Sequence, residues 1–261
     1  GGRFILGLGA SGPQVVEGFH GLPYTAPLAR TREVVEICRT VWRREPLDHQ
    51  GRYVHAPLTP EHGGSGLGKP LKLINHPVRE RIPIWLAALG DKNVEMAAEI
   101  AEGWLPFVLY PEKLDAVWGD SLRAGKAKRA PELGELQITG GGILALEEEH
   151  FYNARAAARG LGALYIGGMG ARGKNFYNTV FQRYGYPEVA ANVQDLYLDG
   201  KKNEAAAALP DEFIANSNLI GRPEFVKDRI AALRDAGVTH LNVTPFGSDP
   251  VKLLAQVKEW I

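Results

Sequence analysis

The sequence has very little cysteine and methionine and no excess of charge of either sign. Its 261 residues include 30 basic and 30 acidic side chains, two methionines and one cysteine, Cys38. A single cysteine excludes an internal disulfide, and balanced charge gives no electrostatic reason to expect nucleic acid or an anionic membrane as a partner. Signal-peptide features and long apolar runs are also missing, so we expect a cytoplasmic protein without membrane spans.

Motifs for metal binding and for nucleophilic catalysis are missing as well. His49, His55 and His62 are unevenly spaced and lack a helical H-x-x-x-H pair, so we expect no metal site. Gly9-Ala10-Ser11-Gly12 differs from the G-x-S-x-G turn of serine hydrolases. Cys38 falls on the apolar stripe of a predicted helix, where a small hydrophobic core residue is expected.

The N-terminal stretch combines a short apolar strand with a glycine-rich turn. Apolar side chains at positions 4, 5, 6 and 8 predict a buried strand. Gly7, Gly9 and Gly12 then allow the backbone to turn tightly and to approach a phosphate or a flat ring. The glycines lack the complete G-x-G-x-x-G spacing and are followed by Pro13 rather than by a predicted helix start, so a dinucleotide fingerprint is not supported. Residues 14–24 are predicted to form a loop.

Four further strands alternate with amphipathic helices along the chain. The strands are predicted over residues 82–89, 104–109, 136–146 and 240–245, and the helices over 27–42, 91–101, 111–128, 223–237 and 249–260. This alternation predicts an α/β fold of parallel βαβ units with right-handed crossovers. Gly140–Gly142 interrupts one strand where a ligand or another backbone comes close.

Two segments depart from this alternation, and the strand count is low. Residues 46–80 are predicted to be a long loop insertion and residues 150–217 a helical insertion without a strand. Five strands are too few for a closed parallel barrel, which needs eight. Since the sequence also begins at Gly1 without an initiator methionine, we expect three βα units to precede it, and residues 1–261 to be one partial barrel domain.

The second predicted strand ends in residues suited to a planar anionic ligand. Ala87 and Ala88 are small at its carboxyl end, so a bulky flat group can lie against the backbone there. Gly90 and the first N–H groups of the following helix favour an anion, and Lys92 adds positive charge.

Several segments together resemble the bacterial-luciferase-like oxidoreductases, and more narrowly the subgroup that depends on coenzyme F420, a deazaflavin. The segments that carry the resemblance are Gly2–Pro13, Pro27–Glu33, Gly68–Lys72, Ala88–Pro106, Tyr165–Gly170 and Asn175–Tyr177. The resemblance implies a TIM (β/α)8 barrel, here truncated at its N-terminus to about five of eight units, with a helical insertion before the last strand. Residues 4–9 would be its fourth strand.

The resemblance also implies which residues bind the cofactor. These residues lie at the carboxyl ends of neighbouring strands, and they are Gly9, Ala10, Ser11, Gly12, Ala87, Ala88, Leu89, Gly90, Lys92, Asn93 and Trp104. Trp104 and Pro106 would lie beside the pocket. The implied activity is hydride transfer between F420 and a small organic substrate. Two alternatives stay open, an FMN-dependent luciferase-like monooxygenase that uses dioxygen and a non-catalytic flavin- or deazaflavin-binding barrel fragment.

No catalytic residue is assigned from the sequence. Glu17, His20 and Tyr24 in the first loop are candidates, and an imidazole such as that of His20 is a common proton-transfer group in enzymes. A loop histidine in a local hydrogen bond is the competing interpretation of His20. The helix face around Val34, Val41 and Trp42 is compatible with barrel packing and also with a homodimer interface.

Overall fold

The computed structural model describes residues 2–261, which fold around a sheet of six parallel strands. In chain order the strands are β1 (Leu6–Gly9), β2 (His49–Gln50), β3 (His55–Ala56), β4 (Ile84–Ala87), β5 (Gly103–Leu105), β6 (Gln137–Ala145), β7 (Leu219–Ile220) and β8 (His240–Pro245). The large sheet runs β1-β4-β5-β6-β7, and β8 pairs with β6. Strands β2 and β3 form a separate antiparallel pair.

Eleven α-helices cover the sheet and fill its connections in residues 2–261. They are α1 (Pro13–His20), α2 (Pro27–Trp42), α3 (Asp91–Ile100), α4 (Leu114–Lys126), α5 (Glu148–Ala163), α6 (Phe176–Arg183), α7 (Pro187–Leu198), α8 (Lys202–Ala207), α9 (Asp211–Asn216), α10 (Pro223–Asp235) and α11 (Pro250–Lys258). Proline stands first in α1, α2, α7, α10 and α11, where its missing N–H costs no helical hydrogen bond. No described helix combines the length and hydrophobicity needed to cross a membrane.

The predicted α/β fold with parallel strands and covering helices is confirmed. Each of the five predicted strands is present, most of them shorter than the apolar run that predicted it. Among residues 2–261, β1 pairs only with β4 and β8 only with β6, so the sheet stays open rather than closing into a barrel. On α10, the apolar residues Val226, Ile230 and Leu233 are buried against the sheet, as expected for an amphipathic crossover helix.

The structure corrects the prediction at three places. Residues 13–20 form helix α1 rather than a loop, because Pro13 begins the helix and the Gly12 carbonyl accepts the Val15 and Val16 N–H groups at 3.1 and 3.0 Å. The segment 46–80 contains the β2–β3 pair. A sixth parallel strand, β7, follows the helices of residues 148–216, and its two residues are too short to give a periodic signal.

The glycine triplet of β6 is explained by protein packing. A Cβ on Gly141 would lie 2.5 Å from the Asn242 carbonyl oxygen of β8, and one on Gly142 would lie 2.8 Å from the Ser217 carbonyl oxygen. Both glycines also have positive φ, 140° and 125°, which other residues rarely adopt. Of the two possibilities raised by the sequence, it is another backbone that comes close here.

Glu33 of α2 fastens the loop of residues 46–80 to the body of the protein. Its carboxylate accepts the backbone N–H groups of Arg52 at 3.0 Å, Tyr53 at 3.2 Å and Val54 at 2.7 Å. Burial by itself raises the pKa of Glu33, but these three donors outweigh it and hold the pKa below the usual value. The charged carboxylate therefore stabilises one conformation of this loop.

Replacing Glu33 with alanine should loosen this loop. Three N–H groups lose a charged acceptor, at a cost of about 1.5–3 kcal/mol for hydrogen bonds to a charged group. We expect limited proteolysis to cut within residues 46–80 at least several times faster than in the wild type. Glu36→Ala, at an exposed position of the same helix, is the control. Equal cleavage of both variants would contradict the anchoring role.

Candidate functional site

The two turns predicted to bind the cofactor begin side by side in the structure. Gly9, the last residue of β1, is the register partner of Ala87, the last residue of β4. A Cβ on Gly9 would lie 3.3 Å from the Ala87 Cβ. Because the strands are parallel, the turns that follow them, residues 10–12 and 88–90, start at the same edge of the sheet.

Small residues stand at the ends of β1 and β4 on one face of the sheet, and a tryptophan lies below them. Register partners point to the same face, so Gly9, Ala87 and Leu105 lie in one row and Gly7, Trp85 and Gly103 in the row beneath. The Trp85 indole covers Gly103, where a Cβ would lie 2.5 Å from the ring. Trp85 is only 7% exposed, whereas Ala87 is exposed. We call the space over Gly9 and Ala87, with Leu105 beside it and Trp85 below it, the recess.

Polar groups lie below this recess. The ring of His240, on β8, meets Trp85 edge to face with centroids 4.9 Å apart. The Trp85 Nε1–H is buried and finds no hydrogen-bond partner among residues 2–261. A buried donor without a protein partner is uncommon, and it is more frequent at binding sites than in a packed core.

Two tryptophans hold the turn after β4 from the core side. Trp104 Nε1–H donates to the Ala88 carbonyl at 2.9 Å, and Trp118 Nε1–H donates to the Leu89 carbonyl at 2.8 Å. Both tryptophans are 0% exposed. For Trp104, which the resemblance implies as a cofactor-binding residue, the hydrogen-bond partner in the structure is the turn itself. Trp118 was missed, although it lies with Val117 and Leu122 on the apolar stripe of α4.

The start of α3 carries opposite charges that are already paired. Lys92 Nζ lies 2.8 Å from Glu95, which also binds Lys128 at 2.6 Å. These hydrogen bonds, first that of Lys128 and then that of Lys92, lower the Glu95 pKa to about 2. Asp91 pairs with Arg183 of α6 at 2.7 Å. Arg183, which belongs to the predicted helical insertion, is therefore a second cation at the start of α3. The sequence pattern does not indicate it.

Two of the three candidate acid–base residues, Glu17 and Tyr24, are hydrogen-bonded to each other, and Tyr24 also contacts the glycine-rich turn. The Tyr24 hydroxyl donates to the Ser11 carbonyl at 3.1 Å, and the Tyr24 backbone N–H donates to Glu17 at 3.1 Å. Ser11 has a positive φ of 55°, which Tyr24 helps to hold. Burial raises the pKa of Tyr24, so its hydroxyl stays protonated at neutral pH. His20 is exposed in the last turn of α1.

Two of the cavities in the described part of the chain lie at opposite ends of the strands. One of about 180 Å³ lies between β1, α1 and α2, and Gly9, Ala10 and Tyr24 contribute to its lining. The larger, of about 430 Å³, is lined by charged residues that precede the strands, Arg81 before β4 and Glu132 before β6 among them. The amino ends of barrel strands serve stability rather than chemistry, so we assign the smaller cavity, not the larger, to the functional end.

The histidines of the long loop are engaged with one another and with Glu33. The rings of His55 and His62 stack with centroids 3.5 Å apart, and His49 Nε2 lies 3.7 Å from Glu33. Stacked rings present their faces rather than their nitrogen lone pairs to each other. In the described part of the chain, the one group of potential ligand atoms within 4.8 Å of each other is formed by Glu147, Glu149 and His150, two of them exposed.

Comparisons with known proteins identify the family of this chain. The sequence profile of the luciferase-like monooxygenase family matches residues 1–240. A Mycobacterium tuberculosis protein, provisionally named a coenzyme F420-dependent oxidoreductase, is 43% identical over 260 residues, 98% of this chain and 74% of the relative. The 5,10-methylenetetrahydromethanopterin reductase of Archaeoglobus fulgidus is 29% identical over 259 residues, 97% of this chain and 70% of the relative.

The fold similarity extends to a solved structure. The coenzyme F420-dependent tetrahydromethanopterin reductase of Methanopyrus kandleri superposes with a TM-score of 0.74 at 22% identity, covering 99% of this chain and 73% of that one. At that identity the superposition speaks for the fold alone. The family match spans most of the chain, and the relative at 43% identity spans nearly all of it. The chain therefore belongs to the luciferase-like monooxygenase family.

Proposed function

We propose that the protein is a coenzyme F420-dependent oxidoreductase, which transfers a hydride between the deazaflavin and a small organic substrate. The observation that carries the proposal is the pairing of Gly9 with Ala87 above the buried Trp85, since two small residues at neighbouring strand ends let a flat ring approach the backbone. The resemblance to the mycobacterial relative, provisionally named for F420, supports this cofactor over FMN.

The residues around the recess fit the two parts of such a cofactor. Gly9–Gly12 and Ala87–Gly90 border the ring, with the Trp85 N–H as an unpaired donor beneath it. The N–H groups at the start of α3 suit a phosphate because they carry the positive end of the helix dipole. Lys92 and Arg183 lie at that helix start, where they are paired with Glu95 and Asp91. Both cations can leave these carboxylates and pair with the phosphate when it binds.

The division of labour between cofactor and protein follows from these contacts. When bound, F420 supplies the carbon that gives or accepts the hydride. The protein fixes the orientation of the ring by backbone contacts and excludes water with Trp85 and Leu105. Tyr24 and Glu17 hold the turn at Ser11, so their proposed role is to shape the site rather than to transfer protons. His20 stays a candidate proton donor.

Titration with F420 and with FMN tests this proposal. We expect F420 to bind with a dissociation constant in the micromolar range or tighter, which corresponds to about −8 kcal/mol, and FMN to bind far more weakly. Quenching of cofactor fluorescence measures both constants. Tight FMN binding without F420 binding would favour the dioxygen-using monooxygenase instead, and binding of neither cofactor would contradict the proposed site.

A homodimer through α2 also stays a prediction. Val34 is 36% exposed, which leaves it free to meet a partner. Trp42 is partly buried and packs against the core of this chain. Sedimentation of the wild type and of Val34→Glu would test the interface, because a buried charge at its centre should dissociate the dimer.

A further inference from the structure

We propose that Trp118, acting with Trp104, is a positioning residue that fixes the turn at residues 88–90 for cofactor binding. The proposal rests on the function proposed above, and it concerns how the binding turn is held rather than which residues touch the cofactor. Trp118 lies on α4, outside the two turns, and is fully buried.

The turn at residues 88–90 is anchored through two consecutive carbonyl groups. The Ala88 carbonyl accepts from Trp104 and the Leu89 carbonyl from Trp118, at 2.9 and 2.8 Å. The two indoles pack edge to face with centroids 5.2 Å apart, so each supports the orientation of the other. Two adjacent peptide units are thereby held from the core side, and the backbone between β4 and α3 loses its freedom to rotate.

The turn needs this external support because it has little of its own. Gly90, which precedes the first residue of α3, has no side chain, so the helix start lacks a side-chain cap. Glycine also has the largest conformational freedom of any residue. Without the indole donors, Gly90 would be held by the Asn93 and Val94 N–H groups, which donate to its carbonyl at 2.9 Å, and by the packing of Ala88 in the core.

The helical insertion supports Trp118 from its other side. The ring of Tyr184 meets Trp118 edge to face with centroids 5.9 Å apart, and its hydroxyl donates to the Val108 carbonyl at 2.9 Å. The neighbouring Arg183 donates to the Val117 carbonyl and pairs with Asp91. Two consecutive residues therefore join the insertion to α4 and to the first residue of α3, with Trp118 between them.

Trp118→Phe tests the proposal, because phenylalanine keeps an aromatic ring in the core and removes the N–H donor together with part of the ring volume. We expect the F420 dissociation constant to rise about threefold to tenfold, as for the loss of one buried hydrogen bond. In cofactor-free protein, amide hydrogen exchange of the peptide that contains residues 88–93 should become faster. Trp104→Phe, which frees the neighbouring carbonyl, should give the same two changes.

Trp260→Phe is the matched control, since Trp260 lies beyond α11 and away from the turn. It should leave both the F420 affinity and the exchange of residues 88–93 as in the wild type. Thermal melting separates a general loss of stability from a local effect. Unchanged F420 affinity or unchanged exchange in Trp118→Phe, while the wild type binds F420, would overturn the positioning role. A wild type that fails to bind F420 would instead refute the proposed function.

Discussion

Replacing Ala87 with leucine should abolish tight F420 binding while the protein stays folded. Ala87 is exposed at the end of β4, and its Cβ faces the space above Gly9. A leucine there has no core to disturb and extends into the recess that the flat ring needs. Overfilling a packed site costs about 1–3 kcal/mol, so we expect the dissociation constant to rise about tenfold to a hundredfold.

The control for this prediction is Ala157→Leu, an equal increase in size at an exposed position of α5. Fluorescence titration with F420 measures the affinity of both variants, and circular dichroism checks that both are folded. If Ala87→Leu binds F420 as tightly as Ala157→Leu, the cofactor does not lie over Gly9 and Ala87.

The largest loss of stability is expected from Glu102→Ala. Glu102 precedes β5, and its carboxylate accepts the Ile84 N–H at 2.8 Å, Arg81 at 2.9 Å and Arg39 at 3.2 Å. Removing it leaves the Ile84 N–H without this acceptor and the largely buried Arg39 without its carboxylate partner, although Arg39 still donates to the Ile100 carbonyl at 2.7 Å. Breaking a buried ion pair from one side costs about 3–5 kcal/mol, and urea unfolding measures this difference.

An exposed ion pair provides the contrast. Arg123 binds Asp115 at 2.6 Å, but both side chains are more than half exposed. Arg123→Ala should therefore cost far less stability than Glu102→Ala, because solvent screens an exposed ion pair. A similar loss of stability in the two variants would show that burial of Glu102 contributes nothing special.

Glu102 also predicts that the stability of the fold depends on pH. Burial raises the pKa of Glu102, but the Ile84 N–H bond, Arg39 and Arg81 outweigh it, so the pKa in the folded protein lies below the ordinary value. The stabilisation is therefore present above the pKa of the unfolded chain and is lost as the pH falls through the folded value. Glu102→Gln should flatten the acid limb of the stability curve, as followed by urea unfolding between pH 3 and pH 7.

The fold was accessible from the sequence wherever the signal was local. Apolar runs located five parallel strands, and the apolar stripe at Val226, Ile230 and Leu233 located one crossover helix. The sequence pattern does not predict helix α1, because a proline after a glycine-rich turn is typical of a break as well as of the first position of a helix. Strand β7 was missed because two residues form a strand only through pairing with the distant Leu144 and Ala145.

Local sequence patterns indicate only part of the candidate site. Glycine and alanine at strand ends indicated the two turns, since small residues next to a turn mark close approach of a ligand. No sequence pattern indicates Trp118 and Arg183, because their partners, Leu89 and Asp91, lie 29 and 92 residues away in sequence. Their roles depend on tertiary packing, which no local pattern encodes.

The short pairing of β7 with the end of β6 has a consequence for how this protein can vary. The helices of residues 148–216 leave the sheet at Ala145 and return at Leu219, and those strand ends are hydrogen-bonded neighbours. A segment whose ends already meet can be lengthened or shortened at a small loop-closure cost, which grows only with the logarithm of its length. Exchanging this whole segment between relatives should therefore keep the sheet intact, provided that each graft keeps an arginine–tyrosine pair at the positions of Arg183 and Tyr184.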